Sequence, residues 1–360
     1  MIAEMTWKHY EGNKWQILER TNIQVENKEI NLHEIDSWSA QDYNQFISTH
    51  YHLSLEPAVS LQNQSVNNFP LLIEKGKNTI HLRPTLFDFL AHRAIAYYQN
   101  PENEITQASY AFEIKDSRAF SIVNQFCTTE FETSDTTSKK FQVLAIYKTI
   151  LSFHLSNKNF PALIDADIHR LYYVYAFSIH PQKRSLYLEA LEHIAKTYAS
   201  FRESGMALYT VAQSLTQIDQ PYQQPRQTGI GNERIKADNP KAKKMLEEII
   251  AAFPKSEAAY QAEILLSQIQ EHFLSLQNEQ IVLPNQPSLA LLRFTNVPVV
   301  HCKIVALSMN EWMEKMEYNH TSSLSYASKN AIQTWSIELP RTEDFLQHTT
   351  EIALKPLPMG

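Results

Sequence analysis

Six glycines serve a chain of 360 residues, at positions 12, 76, 205, 229, 231 and 360. Gly229 and Gly231 lack the third glycine of a dinucleotide-binding fingerprint and no Walker A sequence occurs, so a phosphate-cradling loop is not expected. Cysteine is nearly absent as well. Cys127 and Cys302 lie far apart and belong to no Cys-x-x-Cys or Cys/His cluster, which supports neither a disulfide framework nor a zinc site. No apolar run reaches the length of a membrane span, and Glu4 and Lys8 interrupt the stretch where a signal peptide has its apolar segment. Lys and Arg never run beyond a pair, as at Lys139-Lys140 and Lys243-Lys244, and 32 basic against 39 acidic residues leave a net charge of −7. Nucleic-acid binding needs a basic stripe that releases counterions, so no nucleic-acid partner is expected. The lysine pairs read as solvated helix faces.

Apolar surface is what the chain has in quantity. With 43% hydrophobic residues, 17 Tyr and 17 Phe, it can bury enough area to offset the entropy of ordering, and its length suggests two units. Over the first 275 positions apolar residues recur at helical spacing. Phe87, Leu90, Ala91, Ala94, Ile95 and Tyr98 form one stripe, opened by Thr85 and Asp88 in a capping-box pattern. Further stripes are Ile164, Ile168, Leu171, Tyr172, Tyr175, Ile179; Leu191, Ile194, Ala195, Tyr198; and Ala242, Met245, Leu246, Ile249, Ile250, Phe253. The last ends at Pro254 and is followed by a helix carrying Ala258, Ala262, Leu265, Ile269 and Phe273. Tyr198 and Phe253 each end a helix at an offset of 55, and Ala207 falls on Ala262. That spacing reads either as repeated antiparallel helix pairs of the tetratricopeptide (TPR) kind, lengthened by a polar loop near 219–239, or as an irregular helical domain.

After Leu276 the grammar changes to β: Ile281–Leu283, Leu289–Phe294 and Val299–Leu307 are strand candidates separated by Pro/Asn turns. Trp335, Ile337 and Leu339 alternate with Ser336 and Glu338, and His348–Leu354 is the last candidate. A sandwich of about seven strands would need more. The expected architecture is therefore mainly α, an antiparallel helix-pair (TPR-like) array over 1–275 followed by a truncated β-sandwich over 279–360.

Reactive constellations fail on spacing. His50 and His52 would share a face only on a strand, and no acidic ligand stands beside them. Asp88, His92 and Arg93 suggest an i,i+4 helix pair without a nearby nucleophile elbow. Asp165 and Asp167 could serve an enzyme on a helical scaffold, yet a helix start would explain them through its dipole. Cys302 alternates with Val300 and Ile304 on a β face and reads as core; Asn63 and Asn319 match glycosylation sequons, which are frequent by chance. Accordingly no catalytic, cofactor-binding or metal-binding residue is assigned, no cofactor is expected, and the chain is not expected to be an enzyme.

Three blocks carry a family resemblance: Leu82–Tyr98 (LRPTLFDFLAHRAIAYY), Val282–Leu292 (VLPNQPSLALL) and Glu351–Gly360 (EIALKPLPMG). Together they resemble the N-terminal region of bacterial alpha-2-macroglobulin-like proteins, in which a helical, TPR-like region precedes the first macroglobulin domain. The likeness spans essentially the whole chain. It implies a longer parent protein, exported to the periplasm or cell envelope, that traps or inhibits proteases. The family's thioester motif, Cys-x-Glu-Gln, follows neither Cys127 nor Cys302, so no functional residue is carried over. The expected partners are proteins: the rest of the parent chain, proteases or a cell-envelope component. The other reading left open is a free-standing helical-repeat adaptor that binds a peptide or protein.

Overall fold

The computed structural model describes residues 1–20, 32–74, 76, 79–100, 111–135, 138–216, 237–279, 281–310, 313 and 331–358. The protein is mainly helical, with 56% helix and 14% strand in small antiparallel sheets. It divides into two compact units. Of the described residues, the first comprises those from 1 to 211 with 252–258, and the second those at 212–216, 237–251 and from 259 to 358. The second unit thus joins two helices to the strands.

In the first unit α1 (Ile2–Leu18), α2 (Ala40–Leu55), α3 (Ala58–Gln62), α4 (Leu86–Gln99), α5 (Val123–Thr128), α6 (Lys139–Ser156), α7 (Phe160–Phe177) and α8 (Lys183–Thr197) precede α9 (Ser204–Ser214), whose end passes into the second. The long helices form a ladder: α1 packs on α2, α2 on α4, α4 on α6, α6 on α7 and α7 on α8. The short link from α6 to α7 turns at Lys158, whose φ of 54° occupies the left-handed region usually given to glycine. Asn159 N–H donates back to His154 O and Lys158 N–H to Leu155 O, so the last carbonyls of α6 are satisfied without glycine.

The capping box read at α4 is present. Asp88 N–H donates to Thr85 Oγ1 at 3.2 Å while Thr85 N–H donates to Asp88 Oδ2 at 3.0 Å. Of its stripe, Phe87, Ala91, Ala94, Ile95 and Tyr98 are buried. Thr85→Ala removes the cap, and urea unfolding should show a loss of about 1 kcal/mol.

The stripe assigned to α7 is only partly right. Ile164 and Leu171 are buried, but Tyr172 and Ile179 are exposed and Ile179 lies beyond the helix. Leu163, Ala166, Tyr173 and Val174 are buried instead, because α6 covers one flank of α7 and α8 the other, so a single stripe cannot describe it. The two segments set at an offset of 55 are each two successive helices, α8 then α9 and α10 (Asn239–Ala252) then α11 (Glu257–Gln270), and Ala207 and Ala262 are each fully buried. A Cβ at Gly205 would lie 2.9 Å from the Phe253 ring and 3.0 Å from Ala258 Cβ, so the start of α9 is held close to that turn. The loop expected near 219–239 falls outside the described residues up to 236. Asp238 already caps α10, accepting Lys241 N–H at 3.1 Å.

In the second unit β1 (Phe273–Asn278), β2 (Ser288–Thr295) and β5 (His348–Leu354) form one antiparallel sheet in the order β1-β2-β5, and β3 (Val299–Val305) pairs with β4 (Ala331–Glu338) in another. Ala290, Leu292 and Phe294 of β2 and Ile352 of β5 share one buried cluster with Val300 of β3 and Leu339 just past β4. Trp335, Ile337 and Leu339 do turn inward relative to exposed Ser336 and Glu338. Two expectations need correction. Ile281–Leu283 is not a strand, and Phe273 belongs to β1 rather than to α11. The helix stops because Asn296 Nδ2, from the turn after β2, donates to Ile269 O at 2.9 Å and Glu271 O at 3.0 Å, closing its last carbonyls.

Candidate functional site

Among the described residues, one buried polar pair lies at the seam of α4, α6 and α7. Asp88 Oδ1 accepts from His154 Nε2 at 2.8 Å, with both side chains 1% exposed, while its other oxygen serves the α4 cap. His154 Nδ1 has no hydrogen-bond partner among the described residues. His92, one turn after Asp88, does not take that carboxylate. Its ring lies 6.2 Å from the ring of His169, and burial, with Arg83, His169 and His154 close by, holds its pKa well below the ordinary histidine value. Arg93 reaches Glu4 and lies over the Phe89 ring.

Asp165 and Asp167 are not at a helix start. Pro161 in the first turn places the beginning of α7 at Phe160, so both lie in its interior and the dipole does not account for them. Asp165 stands 3.8 Å from Arg83 and 3.6 Å from His169. Asp167 accepts from Arg170 Nε at 2.8 Å, and Arg170 is fully buried. The same guanidinium donates to Ala119 O and, at 3.0 Å, to Ser121 O, and it covers the Phe126 ring at 4.3 Å. It therefore clamps the chain at 117–121 and α5 onto α7. Burial pushes the Asp167 carboxyl up, and Arg170 pulls it back part of the way.

Beside this clamp is a cavity of about 70 Å³, lined among others by Asp167, Arg170, His193, Thr197 and Tyr198. That is room for a few waters and far less than the ~300 Å³ of a small-molecule pocket. The donors of Arg170 point at protein oxygens rather than into it.

The other sequence candidates are dispersed. His50 and His52 lie on α2, where residues two apart point in different directions, and His50 Nδ1 is hydrogen-bonded to Phe46 O at 2.8 Å. Lys140 pairs with Glu113 at 2.9 Å and Lys139 reaches Asn44 at 3.2 Å, so that pair does more than coat a helix face, whereas Lys243, 3.7 Å from Glu247 one turn on, and exposed Lys244 do lie on one. Cys127 and Cys302 are free thiols whose pKa burial pushes up, and Cys302 packs on the β cluster. Asn63 ends α3; Gly229, Gly231 and Asn319 lie outside the described residues. Among the described residues no group of three His, Cys, Asp or Glu could hold a metal ion, and no helix is long and apolar enough to cross a membrane. The Arg170 clamp was missed from sequence because its carbonyl partners lie about fifty residues upstream.

No protein-family model, no curated protein and no solved structure matches this chain.

Proposed function

We propose that this chain is a non-catalytic scaffold, the N-terminal segment of an alpha-2-macroglobulin-like protease trap, in which a TPR-like helical array carries a macroglobulin-type β-sandwich. The observation that carries the reading is the order of parts: a ladder of long helices from α1 to α8, each packed on the next long helix, and, later in the chain, two small sheets around one apolar cluster. Nearest-neighbour packing is what a repeat array needs, and a shared cluster between two sheets is the beginning of a sandwich core. The buried charges also fit a scaffold, since Asp88 closes a helix cap and Arg170 ties down backbone carbonyls. By the family resemblance the parent protein would be exported and face the periplasm, and its partners would be proteases and its own remaining domains.

The β module supplies the test. Among the described residues β1 and β5 each pair on one side only, and inward-facing Leu274 and Leu276 of β1, opposite Phe294 and Leu292, stay about half exposed. Extending the protein by the segment that follows in its source gene should raise the melting temperature of the β module and reduce self-association on size exclusion. An extension that changes neither, or a gene that ends at Gly360, removes the scaffold reading and puts the helical-repeat adaptor in its place.

A further inference from the structure

The first helix and its two cap residues present to solvent a line that mixes large apolar side chains with Lys8, Gly12 and Glu19. Met1, Met5, Lys8, Gly12, Trp15 and Glu19 recur at alternating steps of four and three, the spacing of a coiled-coil contact line, and all six are exposed. Ile2 and Leu18 flank the line at 50% and 45% exposure, while Met5 is 66% and Trp15 82% exposed. The opposite face is the packed one, burying Ala3, Thr6, Tyr10 and Ile17. Gly12 stands mid-helix, where glycine costs about 1 kcal/mol relative to alanine, and a Cβ there would meet nothing within 4 Å. Packing within the chain therefore gives no reason for it. An approaching second helix does.

We propose that a second copy of this chain docks on α1, antiparallel about a two-fold axis, to form a homodimer. The seam is self-complementary in that arrangement. With the two-fold axis level with Tyr10, Met5 meets Trp15 of the second copy, Ile2 meets its Leu18, and each Lys8 stem crosses the other helix at Gly12, where the missing side chain makes room. The Lys8 ammonium then reaches Glu11 of the second copy, and the symmetry repeats the pair. Charge meets charge of opposite sign at the centre, the apolar pairs Met5 with Trp15 and Ile2 with Leu18 lie on either side, and Met1 faces Glu19 beyond them. Trp15 and Met5 supply the buried anchors, and an isologous contact of this kind closes on itself as a dimer rather than a filament.

Sedimentation of the intact protein over about 1–100 μM tests it, the range in which a modest interface assembles. The expected mass is that of a dimer at the upper end, and Trp15→Glu should give a monomer with an unchanged melting temperature, since Trp15 makes no core contact. Lys8→Glu and Glu11→Lys should each weaken the dimer about tenfold, and the doubly swapped protein should recover most of that loss, because the exchanged pair faces its own symmetry mate. A monomer at every concentration overturns the proposal. So does a dimer indifferent to Trp15→Glu, or a double swap no tighter than its single variants.

Discussion

Arg170→Met should lower the free energy of unfolding by about 3–5 kcal/mol, measured by urea denaturation of the intact protein, because removing one partner strands a buried charge. Asp167 is left without its guanidinium, and Ala119 O and Ser121 O lose the donors that hold the 117–121 turn onto α7. The loss should be local in its first consequences: α5 and the 117–121 turn should become the earliest sites of proteolysis. The double variant Arg170→Met, Asp167→Leu should be more stable than Arg170→Met alone, since the orphaned carboxylate is gone. If Arg170→Met costs under about 1 kcal/mol, the clamp is not the structural element described here.

The second large effect is a loss of stability in acid. His92 has a depressed pKa in the folded protein, so below the ordinary histidine value of 6.5 the unfolded chain binds a proton that the folded chain refuses. Stability is therefore full above that value and falls as pH drops below it, by at most about 1.4 kcal/mol per pH unit, the limit for a difference of one bound proton. The groups that act against a charged His92 are Arg83, His169 on α7 and His154 on α6, and Asp88, one turn before it on α4, is already engaged by His154. Denaturant midpoints between pH 7.5 and 5 should decline for the natural chain and decline less for His92→Gln. Equal slopes for the two would assign the acid sensitivity elsewhere.

What the sequence made legible was local. Thr85 and Asp88 are three residues apart and need only their own helix to form a cap, and His348–Leu354 is bounded as read because alternation and pairing with β2 agree. What it hid was set by distant partners. Phe273 continues the helical spacing from Ile269, and only Asn296, folding back on the carbonyls of Ile269 and Glu271, ends α11 before it. Asp167 looks like an acidic helix start until Pro161 is recognised as the first-turn residue and Arg170 as its partner. Asp88 and His92 have the spacing of a pair, but a histidine sixty-six positions away takes the carboxylate. Leu274 and Leu276 of β1 extend the apolar face of β2, a role that depends on a register no local pattern encodes.

On the proposed reading this chain is structural and protease capture belongs to a longer parent protein. The direct measurement is an endopeptidase assayed on casein and on a small chromogenic peptide, first with this chain alone and then with the longest product of the source gene. The account predicts that the chain alone leaves both activities unchanged, while the longer product suppresses casein hydrolysis and spares the peptide, as a trap does. Inhibition by the chain alone, or no effect of the longer product on casein, would contradict it.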